Sequence, residues 1–218
     1  KQVACFLVLT IDIKKSTELV SNQVLSVIED INKLLSRIKK QPGVHTVGFT
    51  TGDEFEIVLE TPSALYDVIY LIRFHLSVEY RIGLGQGGIE NPTISEPNQM
   101  WGSAFNRARD ALNQAKKSDT EIYLISNDDK FDHRINTILK LLSFLRKKMT
   151  KNQRKIYDAF LYYQKYGKIK LQTELAKKIN VSDAMISKTL KTIGYEEMVN
   201  GEQLVLELLT DLYNKLTV

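Results

Sequence analysis

Cysteine, proline and long apolar runs are all scarce in this sequence, and each scarcity excludes a class of protein. The 218 residues include one cysteine, Cys5, which excludes a disulfide framework and a cysteine-rich zinc site. Four prolines and 11 glycines are too few for a collagen-like or low-complexity chain. No uninterrupted apolar stretch approaches the roughly 18–20 residues that span a bilayer, and no small-residue cleavage site follows the first apolar run. We therefore expect a soluble, cytoplasmic protein that does not contact a membrane.

Charge is distributed unevenly along the chain, although the net charge is only +4. Residues 1–125 contain 13 Lys and Arg against 15 Asp and Glu, a net charge of −2, whereas residues 126–218 contain 17 against 11. The excess is concentrated in residues 145–195, which carry 13 basic and three acidic side chains. A weakly acidic half joined to a strongly basic segment predicts two domains with different partners.

The hydrophobic pattern of the first half predicts the order β-α-β-β-α-β. Residues 3–13 form a near-continuous apolar run, typical of a strand buried on both faces. Apolar residues at helical spacing follow, then two strand patterns around a turn, a second helix and a glycine-rich strand. Glu54, Glu56 and Glu60 alternate with apolar residues, which predicts a half-exposed third strand. This order is the ferredoxin-like, or palm, arrangement of an α+β fold.

The second half predicts helices with one short strand. A helix at 102–117, a strand at 121–126 and a helix at 131–148 precede Thr150 and Gln153, whose spacing is a capping-box signature. We therefore expect a palm domain at residues 1–126, a helical connector at 127–149 and an all-α domain at 150–218.

The all-α domain contains a pattern of two helices joined by a short turn. Residues 171–179, 180–182 and 183–193 have the lengths and apolar spacing of a helix-turn-helix. Ser182 can cap the second helix. The polar residues that can contact phosphates or base edges are Ser182, Ser187, Lys188, Thr189, Lys191 and Thr192. Together with the local positive charge, this pattern predicts DNA as a partner, and an ordinary helical hairpin is the alternative.

Acidic side chains are expected to converge at one edge of the sheet. In the palm arrangement the first strand pairs antiparallel with the third, so Asp12 should lie beside the turn that carries Asp53 and Glu54. With the Ile13 carbonyl, these oxygens suit Mg²⁺ or Mn²⁺, because such ions bind through few carboxylates and shared phosphates. The alternative is that Asp12 only caps a helix and Asp53 only fills a turn position.

Groups suited to phosphate follow the first strand directly. Lys14 and Lys15 are basic, and Ser16 or Thr17 can cap the next helix. Free amides at a helix start together with lysines favour a polyphosphate. The sequence therefore predicts a nucleoside triphosphate as ligand or substrate.

Four motifs follow one another along the chain, namely DIKKST at 12–17, GDEF at 52–55, RIGLG at 81–85 and WGxxxNxA at 101–108. In this order they resemble the motifs of class III nucleotidyl cyclases. GDEF also resembles the signature of diguanylate cyclases, which share the palm fold. More closely, the whole layout resembles the SatD family. That resemblance rests on the DI…S start, the GDEF turn, the RIGLGQGGI strand, the NRARDA helix and the terminal helix-turn-helix, and it covers nearly the full chain.

The cyclase resemblance implies roles for four residues. Asp12 and Asp53 match the two metal-binding aspartates, and Ile13 matches the backbone ligand. Asn106 matches the asparagine that orients the ribose. These matches imply metal-dependent nucleotide binding, in a site formed between two palm domains.

Three other cyclase positions are not matched. Phe49 and Gln99 stand at the two base-reading positions, and Asp110 stands at that of the arginine that stabilises the transition state. Losing that positive charge typically reduces the rate by orders of magnitude, so adenylate cyclase activity is not expected. An enzyme would have to replace the arginine with one of four nearby basic residues: Lys14, Lys15, Arg107 or Arg109.

Three hypotheses follow. The leading one is a DNA-binding transcriptional regulator whose palm domain senses a nucleotide with Mg²⁺ or Mn²⁺, acting as a homodimer because helix-turn-helix proteins commonly read paired half-sites. The second is a metal-dependent nucleotidyl cyclase, or another NTP-transforming enzyme, with a regulatory DNA-binding domain. The third is a degenerate palm that serves only as a dimerisation scaffold.

Overall fold

A five-stranded sheet lies at the centre of the computed structural model, which describes residues 5–14, 16, 21–167 and 172–217. Its strands follow the order β2-β3-β1-β4-β5. They are β1 (Cys5–Ile13), β2 (Val44–Thr51), β3 (Glu54–Leu59), β4 (Tyr80–Gly88) and β5 (Ile122–Ile125). β1 pairs antiparallel with both β3 and β4, whereas β5 pairs parallel with β4. The predicted pairing of the first strand with the third is confirmed.

Eight α-helices are described in the structure. They are α1 (Ser21–Ile38), α2 (Leu65–His75), α3 (Ser103–Ser118), α4 (Asp129–Lys148), α5 (Lys151–Lys165), α6 (Gln172–Ile179), α7 (Asp183–Ile193) and α8 (Tyr195–Thr217). The predicted capping box begins α5, since Thr150 Oγ1 accepts a hydrogen bond from Gln153 N at 3.2 Å and Thr150 N donates to Gln153 Oε1 at 2.9 Å. Within the described part of the chain, none of these helices is long and apolar enough to cross a membrane.

Apolar side chains on the two sides of β1 enter different layers. Leu7, Leu9 and Ile11 pack with apolar residues of α1, α2, α4 and α8, a cluster that we call the sheet core. Phe6 and Val8 point to the opposite side, where α3 covers the sheet. The near-continuous apolar run of β1 is therefore explained by burial on both faces, as expected.

Helix α3 lies directly on the backbone of β4. A Cβ atom built on Gly83 would lie 2.1 Å from the Ala108 carbonyl oxygen, and one built on Gly85 would lie 2.1 Å from the Ala104 carbonyl oxygen. Because only glycine leaves room for this approach, the glycine-rich sequence of β4 serves close helix packing.

The segment before α3 covers the β2–β3 side of the same face. Thr46 Oγ1 donates a hydrogen bond to the Ser95 carbonyl, and the ring of Pro97 lies against Gly48. As a result β3 is buried along most of its length, and Glu56 is only 4% exposed. The expectation of a half-exposed third strand was wrong for this reason.

Helices α5, α6 and α7 form a second cluster, which we call the helical core. Leu175, Ile186 and Leu190 belong to it, and Leu142 of α4 and Met198 of α8 join them. Both cores thus share α4 and α8.

Contacts of α4 and α8 cross the predicted domain boundaries. The side chain of Asn136 on α4 forms hydrogen bonds with the backbone N–H and carbonyl of Leu124 in β5, at 2.8 Å each. It thereby satisfies backbone groups at the edge of the sheet. Helix α8 begins in the helical core and continues into the sheet core through Val205 and Leu209. The boundaries predicted at residues 126 and 149 therefore do not separate independent cores.

Candidate functional site

Polar side chains from β1 and β3 share the sheet face that α3 covers. Asp12 lies opposite Glu54 in the antiparallel register, and Thr10 lies opposite Glu56. Opposite residues point to the same side of a sheet, so all four side chains lie together. We call the three carboxylates, Asp12, Glu54 and Glu56, the acidic face. The structure thus brings together Asp12 and Glu54, as the strand order predicted.

Helix α3 supplies positive charge to the acidic face. Lys116 Nζ donates a hydrogen bond to Asp12 Oδ1 at 2.9 Å. Arg109 donates to Glu54 Oε2, and its other terminal nitrogen lies 4.0 Å from Glu56 Oε1. Each carboxylate therefore has a cation beside it. The sequence prediction missed Lys116, although it lies seven residues after Arg109 and hence on the same helix face.

Glu56 was also missed as a member of this group. It accepts a hydrogen bond from Thr10 Oγ1 at 3.0 Å. Burial raises the pKa of its carboxyl group, and the Thr10 hydrogen bond and the Arg109 charge oppose that rise. A buried titratable group beside other carboxylates is a feature common at functional sites.

The three predicted catalytic residues of α3 point in different directions. Arg109 reaches the acidic face, whereas Arg107 turns away and donates from Nη1 to the Gln86 carbonyl of β4 at 2.7 Å. Asn106 is exposed one turn before Arg109, close to the same helix face. Of these three residues, the structure places only Arg109 in contact with the carboxylates.

The other predicted ligands lie around the end of β1. Asp53 follows Gly52, whose φ of +56° suits the two-residue turn between β2 and β3. The Ile13 side chain is buried in the sheet core. Lys14 Nζ lies 3.7 Å from both Glu79 and Asp119, and Ser16 is half-buried. The predictions for Lys15 and Thr17 lie outside the described residues.

The turn between α6 and α7 has specific backbone chemistry. Asn180 adopts a left-handed conformation with φ of 56°, and Val181 N donates to the Ala176 carbonyl at 3.0 Å. Ser182 then caps α7 by accepting from Met185 N at 3.2 Å. Side chain and backbone together therefore fix the change of direction between the two helices.

One side of α7 is exposed and polar. It presents Ser182, Ser187, Lys188, Lys191 and Thr192 to solvent. Ser187 Oγ donates to Gln172 Oε1 of α6 at 2.9 Å, which ties this side to the preceding helix.

The burial of two other residues of α7 distinguishes its buried side from its exposed side. Thr189 is only 8% exposed, because it lies on the side that carries Ile186 and Leu190 into the helical core. Its assignment as a DNA contact was therefore wrong. Met185, an apolar residue near the start of α7, is 50% exposed.

The family model of the SatD family matches residues 6–209. The chain belongs to the SatD family. The match includes the sheet, helices α1 to α7 and most of α8. A solved structure of a bacterial light-regulated adenylyl cyclase is also similar, with 17% identity and a TM-score of 0.42, over 57% of this chain and 77% of that chain. No curated protein matches the sequence.

The acidic face of this SatD-family chain fits a divalent cation only in part. Within the described residues, no group of three or more His, Cys, Asp or Glu is arranged to hold a metal ion. Mg²⁺ often takes only one or two carboxylates and completes its shell with water and phosphate oxygens. Asp12 and Glu54 can provide those carboxylates once Lys116 and Arg109 are displaced. In the described structure both carboxylates are paired with basic side chains, so the acidic face is not a ready-made metal site.

Proposed function

We propose that this SatD-family protein is a DNA-binding regulator that senses a nucleotide with Mg²⁺ or Mn²⁺ at its acidic face. The observation that carries the proposal is the pairing of Asp12 with Lys116 and of Glu54 with Arg109 on one side of the sheet. Both basic side chains are about half-exposed, at 40% and 45%, and can change partners.

Nucleotide binding at this face would exchange ion-pair partners. Asp12 and Glu54, with Asp53 of the adjoining turn, would hold the cation, which supplies positive charge to the phosphate oxygens. Lys116 and Arg109 would then be released from the carboxylates and could bind phosphate oxygens instead. The packing of α3 on Gly83 and Gly85 would keep the helix in place during this exchange.

A thermal-shift assay of the full chain tests nucleotide binding. With a nucleoside triphosphate and Mg²⁺ at about 100 times Kd, we expect roughly 2.7 kcal/mol of stabilisation and a Tm higher by roughly 5–10 °C. Asp12→Asn should abolish the shift, whereas Asp110→Asn, an exposed carboxylate on another side of α3, should keep it. No shift with any nucleotide would leave the dimerisation scaffold as the function of the sheet domain.

Product analysis in the same samples tests the enzyme hypothesis. Its specific support is the position of Arg109, which places a positive charge at the acidic face although Asp110 occupies the expected arginine position. Turnover that disappears in Asp12→Asn and falls sharply in Arg109→Gln would identify an NTP-transforming enzyme. Saturable stabilisation without product would identify a sensor.

DNA binding by the α6–α7 unit rests on the exposed side of α7. Affinity for a mixed-sequence duplex should fall with rising salt, and Lys188→Ala or Lys191→Ala should each reduce the slope of log K against log salt by about 1. Lys33→Ala, an exposed lysine of α1, is the matched control. A mobility shift that is absent or insensitive to salt would contradict this part of the proposal.

We also propose a homodimer, since paired half-sites on DNA are read by two copies of such a helix pair. Sedimentation equilibrium of the full chain should give the mass of two copies. The mass of one chain at micromolar concentration would contradict the dimer.

A further inference from the structure

A cleft of about 390 Å³ lies between the end of the sheet and helices α4 and α5. The cleft is lined by Lys14 directly after β1, residues 76–80 before and at the start of β4, Asp119 after α3, and residues of α4 and α5. Its volume falls within the range of small-molecule sites. Among the described residues, none of the acidic face lines this cleft.

The floor of the cleft is a fixed ionic network. Arg146 Nη1 and Nη2 donate to the two Asp158 carboxylate oxygens at 2.6 and 3.0 Å. Arg146 Nε lies 3.1 Å from Glu121 Oε2, and Arg73 Nε donates to Glu121 Oε1 at 3.0 Å. Both arginine side chains are at most 9% exposed. These groups satisfy one another and form a rigid base.

The rim differs, because two of its basic side chains, Lys14 and Arg154, have only distant acidic partners, whereas Lys147 donates to Asp119 Oδ2 at 2.6 Å. Lys14 Nζ lies 3.7 Å from both Glu79 and Asp119, and Arg154 Nη1 lies 3.8 Å from Glu79, which is beyond hydrogen-bonding distance. The Nε of Arg154 is buried and has no hydrogen-bond partner among the described residues. Glu79 and Asp119 are 68% and 61% exposed, so water competes for them and these ion pairs are weak.

Arg154 Nη2 makes one long hydrogen bond, to the Arg146 carbonyl at 3.4 Å. The cleft therefore offers weakly engaged N–H donors next to an apolar wall. Lys14 and Arg154 supply the donors, and Leu76, Val78 and Tyr80 line the wall. A ligand that suits both must be rich in acceptors and negatively charged at one end, with an apolar part at the other. Phosphate satisfies the first condition because its oxygens accept but, when ionised, do not donate.

We propose that this cleft binds a phosphate monoester of a small organic molecule, with its phosphate on Lys14 and Arg154 and its organic part against Leu76, Val78 and Tyr80. The site is independent of the proposed nucleotide site, which depends on Asp12 and Glu54. Because Lys14 directly follows β1 of the sheet and Arg154 belongs to α5, an occupied cleft connects the sheet to the helical core.

Calorimetric titration of the full chain with phenyl phosphate tests this proposal, with EDTA present to remove divalent cations. Saturable binding is expected, and inorganic phosphate should bind more weakly because it does not reach the apolar wall. Arg154→Gln and Lys14→Gln should each weaken phenyl phosphate binding roughly tenfold or more. Lys151→Gln, an exposed lysine of the same helix α5 outside the cleft, should leave it unchanged.

Two further measurements make the outcome decisive. Far-UV circular dichroism must show that both variants are folded, and Lys14→Gln provides the test if Arg154→Gln does not fold. Asp12→Asn should retain phenyl phosphate binding even though it abolishes the proposed nucleotide response, so the two proposals can fail separately. No saturable binding, equal affinity in Lys14→Gln and wild type, or inorganic phosphate binding as tightly as phenyl phosphate would overturn the proposal.

Discussion

Glu56 combines burial, a hydrogen bond and a nearby cation in one side chain. It is 4% exposed, accepts from Thr10 Oγ1 at 3.0 Å and lies 4.0 Å from Arg109. Burial raises the pKa of its carboxyl group above the ordinary value of 4.5. A raised pKa means that the folded state disfavours the ionised carboxylate, so the free energy of unfolding should fall as pH rises above 4.5 through the folded-state pKa.

Replacing Glu56 with Gln should remove that pH-dependent loss of stability. Glutamine keeps an oxygen that accepts from Thr10 but carries no charge, so Glu56→Gln should gain stability relative to wild type between pH 4 and pH 7. Urea unfolding across this range measures the difference, and Glu90→Gln, an exposed carboxylate, is the control. A difference that does not change with pH would show that the charged form is not disfavoured at this position.

Single residues also show that the burial of a side chain could not be predicted from the sequence. The alternation of β3 correctly placed Glu54 and Glu56 on one side, because that geometry is local. It did not reveal that Glu56 is buried, because the covering residues lie around Pro97, about 40 positions later. The exposure of Thr189 could not be predicted for the same reason, since a helical pattern does not show which of its threonines face a neighbouring helix.

Strands and helices were predicted better than individual side chains. Helix α7 has the predicted bounds, and the pairing of β1 with β3 followed from the order of elements alone. Periodicity, caps and turn residues are local signals, so the sequence contains them directly. The path of α8 was not predictable in this way, because its two ends pack in different cores.

The close contact of α3 with β4 predicts that adding a side chain to a β4 glycine will reduce the stability of the protein. Gly85→Ala would place a Cβ 2.1 Å from the Ala104 carbonyl oxygen and 2.2 Å from Ala108 N, and these backbone atoms cannot move without shifting α3. We expect a loss of about 3 kcal/mol or more in the free energy of unfolding, measured with urea.

Gly201→Ala on α8 is the matched control for this loss. Its Cβ would approach only the end of the Leu142 side chain, at 3.0 Å, which can adjust. Alanine also favours a helix interior by about 1 kcal/mol over glycine, so the two effects should nearly cancel. An equal loss of stability in both variants would contradict the packing explanation.

Across the whole molecule, a buried ionic network connects the sheet core to the helical core. Arg73 of α2 pairs with Glu202 of α8 at 2.5 Å and with Glu121 at 3.0 Å, and Arg146 of α4 pairs with Glu121 and with Asp158 of α5. Arg73 and Glu202 are 129 positions apart, so no local pattern could have revealed the pair. The candidate DNA-binding helices and the sheet are thus joined by specific charges as well as by shared helices.

Glu121 should make the stability of the whole molecule sensitive to acid. Burial alone would raise the pKa of Glu121, but the guanidinium groups of Arg73 and Arg146 lower it to about 2, below its ordinary value of 4.5. The stabilisation is therefore complete above pH 4.5 and is lost as pH falls from 4.5 to about 2. Glu121→Gln should cost roughly 3 kcal/mol at pH 7, because two buried arginines lose a shared partner.

Urea unfolding of wild type and Glu121→Gln at several pH values between 7 and 2.5 checks this prediction. The difference between them should stay constant down to about pH 4.5 and then shrink, because protonation removes from wild type the same charge that the substitution removes. Glu174→Gln, an exposed carboxylate of α6, should follow the wild type at every pH. If the difference persists at pH 2.5, the stabilising contribution of Glu121 is not its charge, and the network would join the two cores through packing instead.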